Sequence, residues 1–79
     1  MTKRKVYLVQ VKTKSGDYQG TFYSPFPDRR LSEAIAKLEG YLNLKDVTLT
    51  QTGEQYPFVI INKSSVEMII LVEEKEEEP

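Results

Sequence analysis

The chain contains no cysteine and no histidine among its 79 residues, and these two absences narrow its chemistry sharply. Without cysteine there is neither a disulfide framework nor a thiolate metal site. Without histidine the commonest general base, the usual nucleophile–base dyads and most transition-metal sites are gone. Long apolar runs are missing too: none approaches the roughly 20 residues that a helix needs to cross a bilayer. The basic start, Met1 to Lys5, leads into an apolar run of only Val6 to Val11, interrupted by Gln10, too short for the core of a signal peptide. A soluble, cytoplasmic protein that neither enters nor binds a membrane is expected. The serines have no residue to activate them, no motif marks a lysine-activated serine, and no two carboxylates stand at the spacing of a metal site or a glycosidase pair. The expectation is a protein that is not an enzyme and takes no cofactor and no metal.

What is present begins with a hidden charge asymmetry. The formal net charge is −1. Residues 1–45 carry nine Lys/Arg against four Asp/Glu, a net of +5, whereas residues 46–79 carry two against eight, a net of −6. Much of the deficit lies in 73–79, Glu-Glu-Lys-Glu-Glu-Glu-Pro, which has nothing to bury and reads as a disordered acidic tail. Two readings of this tail stand side by side: it solubilises an ordinary domain, or it shields a basic surface from anionic partners. Residues 1–72 make the single domain. Its small size puts a barrel or sandwich core near the lower limit of independent stability.

The pattern along the chain is mostly β. Val6 to Thr13 is rich in β-formers and ends at the turn signal Lys14-Ser15-Gly16-Asp17; Tyr18 to Ser24 returns as the second strand of a hairpin. Gly20 inside that strand marks a bulge or sharp bend, and Pro25-Phe26-Pro27-Asp28 ends the pairing. A short helix follows, with Ser32 as its N-cap, Glu33 favourable in the first turn, Leu31, Ile35, Leu38 and Leu42 at helical spacing, and Gly40 as the stop. Arg29 and Arg30 precede it, where the helix dipole disfavours cations, so one of them is expected to have an acidic partner such as Asp28 or a neighbouring subunit. Asp46 to Gln51 alternates as a third strand. After a turn around Gly53, Tyr56 to Ile61 and Val66 to Val72 are two further strands hinged by Asn62-Lys63-Ser64-Ser65. The last strand is apolar on both faces apart from Glu67, which a sheet with one wet face does not produce. The order strand, strand, helix, strand, strand, strand favours a small strongly bent barrel over a flat sheet with two raw edges.

These residues resemble a known pattern. Gly16-Asp17-Tyr18-Gln19-Gly20-Thr21-Phe22 is similar to the opening of the first Sm motif, and Glu39-Gly40-Tyr41-Leu42-Asn43-Leu44 with Asp46-Val47 to its continuation. Ile60-Ile61-Asn62-Lys63-Ser64-Ser65-Val66-Glu67-Met68-Ile69 is similar to the second Sm motif, with Asn62-Lys63 where that motif carries Arg-Gly. Together the pieces span most of residues 6–72. The resemblance is to the Sm-like superfamily, and closest to an uncharacterised bacterial branch in which an Arg-Leu-Ser segment, here Arg30-Leu31-Ser32, opens an insertion. It implies a five-stranded, strongly bent Sm-like (SH3-type) barrel, with the helical insertion Pro25 to Leu38 between strands 2 and 3, ahead of the loop that holds RNA-binding residues. Sm-like proteins assemble into rings in which the fourth strand of one subunit pairs with the fifth of the next. That implies a homo-oligomer with Phe58, Ile60, Val66, Met68, Ile69, Ile70 and Leu71 at the seam.

Two functions follow from the resemblance. The first is a non-catalytic assembly or protein-interaction module whose partners are its own copies and a further protein. The alternative is a ring that binds single-stranded RNA at its pore, Tyr41 stacking on a base, Asn43 reading its edge, and Asn62 and Lys63 completing the site. Against this stands the simpler reading that Tyr41 packs beside the helix end and Asn43 closes a turn. Lys3, Arg4, Lys5, Lys12 and Lys14 read either as a phosphate-facing patch or as ordinary solvated lysines and arginine.

Overall fold

The structure, a computed structural model, describes residues 4–26 and 28–77, and the side chains of 5–26 and 28–76. Five antiparallel strands and one short α-helix follow in the order β1 (Arg4–Thr13), β2 (Gly16–Tyr23), α1 (Leu31–Lys37), β3 (Tyr41–Leu49), β4 (Gln55–Asn62) and β5 (Val66–Glu77). A single 3₁₀ turn, Lys63–Ser65, joins the last two strands. All five strands lie in one sheet in the order β4-β3-β2-β1-β5. The sheet is open, with β4 and β5 at its two edges. The architecture is thus mainly β with the helix between strands 2 and 3, as expected, but a closed barrel is not what the strand pairing shows. No helix among the described residues is long and apolar enough to cross a membrane.

The sheet curls around one core. Tyr7, Val9 and Val11 of β1, Phe22 of β2, Leu42, Leu44 and Val47 of β3, Ile61 of β4 and Ala34 of α1 form a continuous buried cluster. Partly buried Val59 from one edge strand and Val66 and Ile69 from the other pack on the same cluster, so the sheet must bend to bring both edges to it. Bulges supply the bend. Between β2 and β3 the register slips from Gln19↔Thr48 to Thr21↔Lys45, leaving one extra residue on β3. Asp46 takes it up with φ +51°, a conformation that Asp tolerates better than most residues. Gly20 lies opposite this bulge because nothing larger fits: a Cβ there would sit 2.9 Å from Val47 Cγ2 and 3.2 Å from the Lys45 carbonyl oxygen. The bend expected at Gly20 is therefore present, with the extra residue on the partner strand.

The helix departs from its expected form. Its N-cap is Arg30, with no side-chain cap hydrogen bond, and it runs only from Leu31 to Lys37; Ser32 is an exposed residue of the first turn. Packing decides the start, since beginning at Leu31 sends Leu31, Ala34 and Ile35 toward the core. Arg29 and Arg30 find their acidic partner in Glu33, at 3.4 Å and 3.9 Å, not in Asp28. Gly40, with φ +82°, turns the chain into β3, which starts at Tyr41 instead of Asp46. Leu42 is accordingly a strand residue, 1% exposed, and its helical spacing from Leu38 is coincidental.

The acidic segment is the largest departure. Residues 73–77 continue β5 and pair with the start of β1, in the register Leu8↔Glu73, Tyr7↔Glu74, Val6↔Lys75, Lys5↔Glu76 and Arg4↔Glu77. They were expected to be a disordered tail; Glu78 and Pro79 lie outside the described residues. The backbone of the first five residues of β1 offers hydrogen-bonding groups on this side, and Lys5 facing Glu76 places opposite charges across the ladder, which favours the pairing. The charge asymmetry read along the chain thus becomes a contact between its two ends.

Candidate interaction site

Large apolar side chains are left in water mainly at the two edges of the sheet. On β4 these are Tyr56, Phe58 and Ile60; on β5 they are Met68, Ile70, Leu71 and Val72. Ile60, at 59%, and Met68, at 53%, are the most exposed of the two sets. From Phe58 to Ile61 on β4 and from Met68 to Leu71 on β5 the side chains alternate between two faces that differ; beside the Asp46 bulge the period breaks and Tyr56 falls opposite the buried Val47. On β4, Val59 and Ile61 pair with the buried Leu44 and Leu42 and face the core, while Phe58 and Ile60 pair with the exposed Lys45 and Asn43 and face outward. On β5, Ile69 and Leu71 lie opposite the buried Val11 and Val9, while Met68 and Ile70 lie opposite Lys12 and Gln10. Of the residues expected at a seam, Phe58, Ile60, Met68, Ile70 and Leu71 are therefore exposed. Val66 and Ile69 are half-buried against the core.

The four residues expected to touch RNA are only partly brought together. Tyr41 is directly opposite Asn62 and Asn43 is opposite Ile60, so Tyr41, Asn43 and Asn62 share one outward face, with Tyr41 59% exposed. Asn62 is committed to the hinge: its Oδ1 accepts from the Ser64 backbone N–H at 3.1 Å and from the Ser64 hydroxyl at 3.0 Å, capping the 3₁₀ turn. Lys63 is turned away from this face. Its ammonium donates to the Ile35 carbonyl at 2.9 Å and to the Leu38 carbonyl at 2.7 Å, and its backbone N–H donates to the Gly40 carbonyl at 2.8 Å. A cation on the last carbonyls of a helix meets the negative end of its dipole. This role had no signal in the sequence, because Lys63 and Leu38 are 25 residues apart.

Of the basic residues of the first strand and its turn, two stand against acidic residues, Lys14 is exposed, and the Arg4 side chain is outside the described residues. Lys12 lies 3.9 Å from the Asp17 carboxylate, Lys5 sits opposite Glu76, and Lys3 is outside the described residues. On the outward face the Lys45 ammonium lies 5.0 Å from the centre of the Tyr23 ring, a cation–π distance. Two tyrosines have perturbed hydroxyls. Tyr7 is pushed up chiefly by burial and then by the Glu74 carboxylate; no hydrogen bond of ordinary geometry joins the two, and the Tyr7 hydroxyl is buried without a partner. Tyr56 is pushed up chiefly by the Glu54 carboxylate, to which its hydroxyl donates at 3.3 Å. Among the described residues no group of three or more acidic side chains is placed to hold a metal ion.

Comparison of the chain with family models, with curated proteins and with solved structures finds no match.

Proposed function

We propose that the protein is a non-catalytic, Sm-like assembly module that forms a homo-oligomer by pairing β4 of one copy with β5 of the next. The observation that carries this reading is the position of the exposed apolar residues: among the described residues, seven of the eight large ones lie on the two strands with a free edge. A free edge is a template for another strand, and soluble proteins blunt such edges with charge, proline or a bulge. Here β4 has only Pro57, and β5, although bulged at Glu67 and Val72, carries no charge between the two bulges, from Met68 to Leu71. Leaving each such side chain in water forgoes about 1.5–3 kcal/mol relative to burial. The two edges differ from each other, so their pairing is heterologous and leads to a closed ring or an open filament.

Light scattering on the purified chain at tens of micromolar tests the reading. A mass of several chains is expected, and a clean monomer would sink it.

The second reading, an RNA-binding ring, draws its support from Tyr41 standing exposed beside Asn43 and Asn62. It requires micromolar or better affinity for short single strands, steep weakening with salt and loss on Tyr41→Ala. The first reading is favoured because Lys63, the cation of the expected site, is occupied by the helix end.

A further inference from the structure

We infer that α1 is part of the seam: with β5 it forms an apolar socket that takes the inner-face side chains of β4, Tyr56 and Val59, from a second copy of the chain. This rests on the edge-pairing reading above. The socket is a groove of about 330 Å³ lined by Leu31, Ser32 and Ile35 of α1 and by Ile69 and Leu71 of β5, and it opens beside the free edge of β5.

Three features point to a second copy as its occupant. The first is the sense of the faces. Side chains that are neighbours across a strand pair lie on the same face of the sheet. Ile69 and Leu71 lie on the inner face, opposite the buried Val11 and Val9. A strand added to β5 therefore brings its own inner-face residues over the groove. On β4 these are Val59, opposite the buried Leu44, and Tyr56, opposite the buried Val47. The outer-face pair Phe58 and Ile60 goes to Met68 and Ile70 instead. The second feature is size. A stable interface takes roughly 20–30 residues from each side, and β4 has eight, so two strands alone fall short and the groove beside them supplies further apolar surface. The third is the anchoring of the helix. A seven-residue helix is too short to hold itself, yet α1 is pinned at its C-terminal end by the Lys63 ammonium, which comes from the hinge between the two edge strands. The same hinge that sets β4 and β5 thus sets the wall of the socket.

Because the chain has no cysteine, introduced thiols report the contact directly. Chains carrying Ser32→Cys are mixed with chains carrying Tyr56→Cys, or in a parallel mixture Val59→Cys, and oxidised mildly. A disulfide-linked heterodimer is expected on a non-reducing gel, at several times the yield given by Ser32→Cys mixed with Asn43→Cys, whose thiol is on the outer face. Independently, Ser32→Arg is expected to weaken self-association at least tenfold by light scattering, with an unchanged far-UV circular dichroism spectrum, while Ser32→Ala leaves the association unchanged. If the chain self-associates but neither thiol pair exceeds the control and Ser32→Arg associates as tightly as the parent, the socket is wrong and the edge pairing stands. A chain that is monomeric throughout overturns both.

Discussion

The Lys63 ammonium donates to the Leu38 carbonyl at 2.7 Å, tying the hinge of the two edge strands to the end of the inserted helix. Replacing Lys63 with Met keeps the aliphatic stem and removes the charge-assisted bonds to Leu38 and Ile35. Each hydrogen bond to a charged group is worth about 1.5–3 kcal/mol when buried, and Lys63 is only half-buried, so a loss of about 1–3 kcal/mol is expected in urea unfolding. Amide exchange in 31–37 should accelerate more than exchange in β1. An unchanged midpoint would show that the helix is held by packing alone.

Gly20→Ala places a Cβ 2.9 Å from Val47 Cγ2 and 3.2 Å from the Lys45 carbonyl oxygen. Both neighbours are fixed, one fully buried and the other backbone, so the overpacking should cost about 1–3 kcal/mol. The check is the denaturant midpoint at constant slope; a shift below a few tenths of a kcal/mol would mean that the bulge relaxes freely.

Lysine on either free edge should separate assembly from folding. Ile60→Lys and Met68→Lys replace side chains that are 59% and 53% exposed in the single chain. Surface changes of this kind move stability by no more than about 0.5 kcal/mol, whereas a lysine facing a paired strand opposes association. Both variants should run as folded monomers by light scattering and circular dichroism. Parent-like assembly in both would place the contact elsewhere.

Tyr7 makes a prediction with pH. Its hydroxyl is raised above the ordinary value by burial first and by Glu74 second, so the folded chain holds this proton to higher pH than the unfolded chain does. Stability from this group is complete below about pH 10, the usual tyrosine value, and declines as the pH rises beyond it, because the unfolded state then binds fewer protons. Tyr7→Phe removes the group and with it a buried hydroxyl that has no partner. The variant should be at least as stable as the parent at pH 7, and its stability should fall less steeply above pH 10. Equal slopes in the two proteins would contradict this account.

The legible part of the fold was the part written in local pattern. Val6 to Thr13, Tyr56 to Ile61 and the start of β5 at Val66 were placed to within a residue or two, since alternation and β-forming residues act over short range. The special position of Gly20 was readable because a glycine inside a strand needs a reason. Tyr41, Asn43 and Asn62 also fell on one outward face, which follows from strand period once β3 and β4 pair. The misplaced features share one cause, a competition that only distant partners resolve. Leu42 keeps helical spacing from Leu38 but is taken into β3, where it packs opposite Ile61. Ser32 is the better cap by residue type, yet burial of Leu31 and Ala34 starts the helix a residue before it.

By itself the sequence determined the lack of cysteine and histidine, the β-rich class, the positions of most strands and the apolar character of β4 and β5. Those properties follow from side-chain type and near-neighbour period. Tertiary structure alone decided that β4 and β5 are the two free edges, that the acidic residues 73–77 are a strand beside the start of β1, and that Lys63 serves the helix. Each of these depends on a partner far along the chain, from 25 residues for Lys63 to about 70 for Lys5 and Glu76. Long-range pairing is set by which backbone groups remain unsatisfied after the core has formed, and no local pattern carries that information.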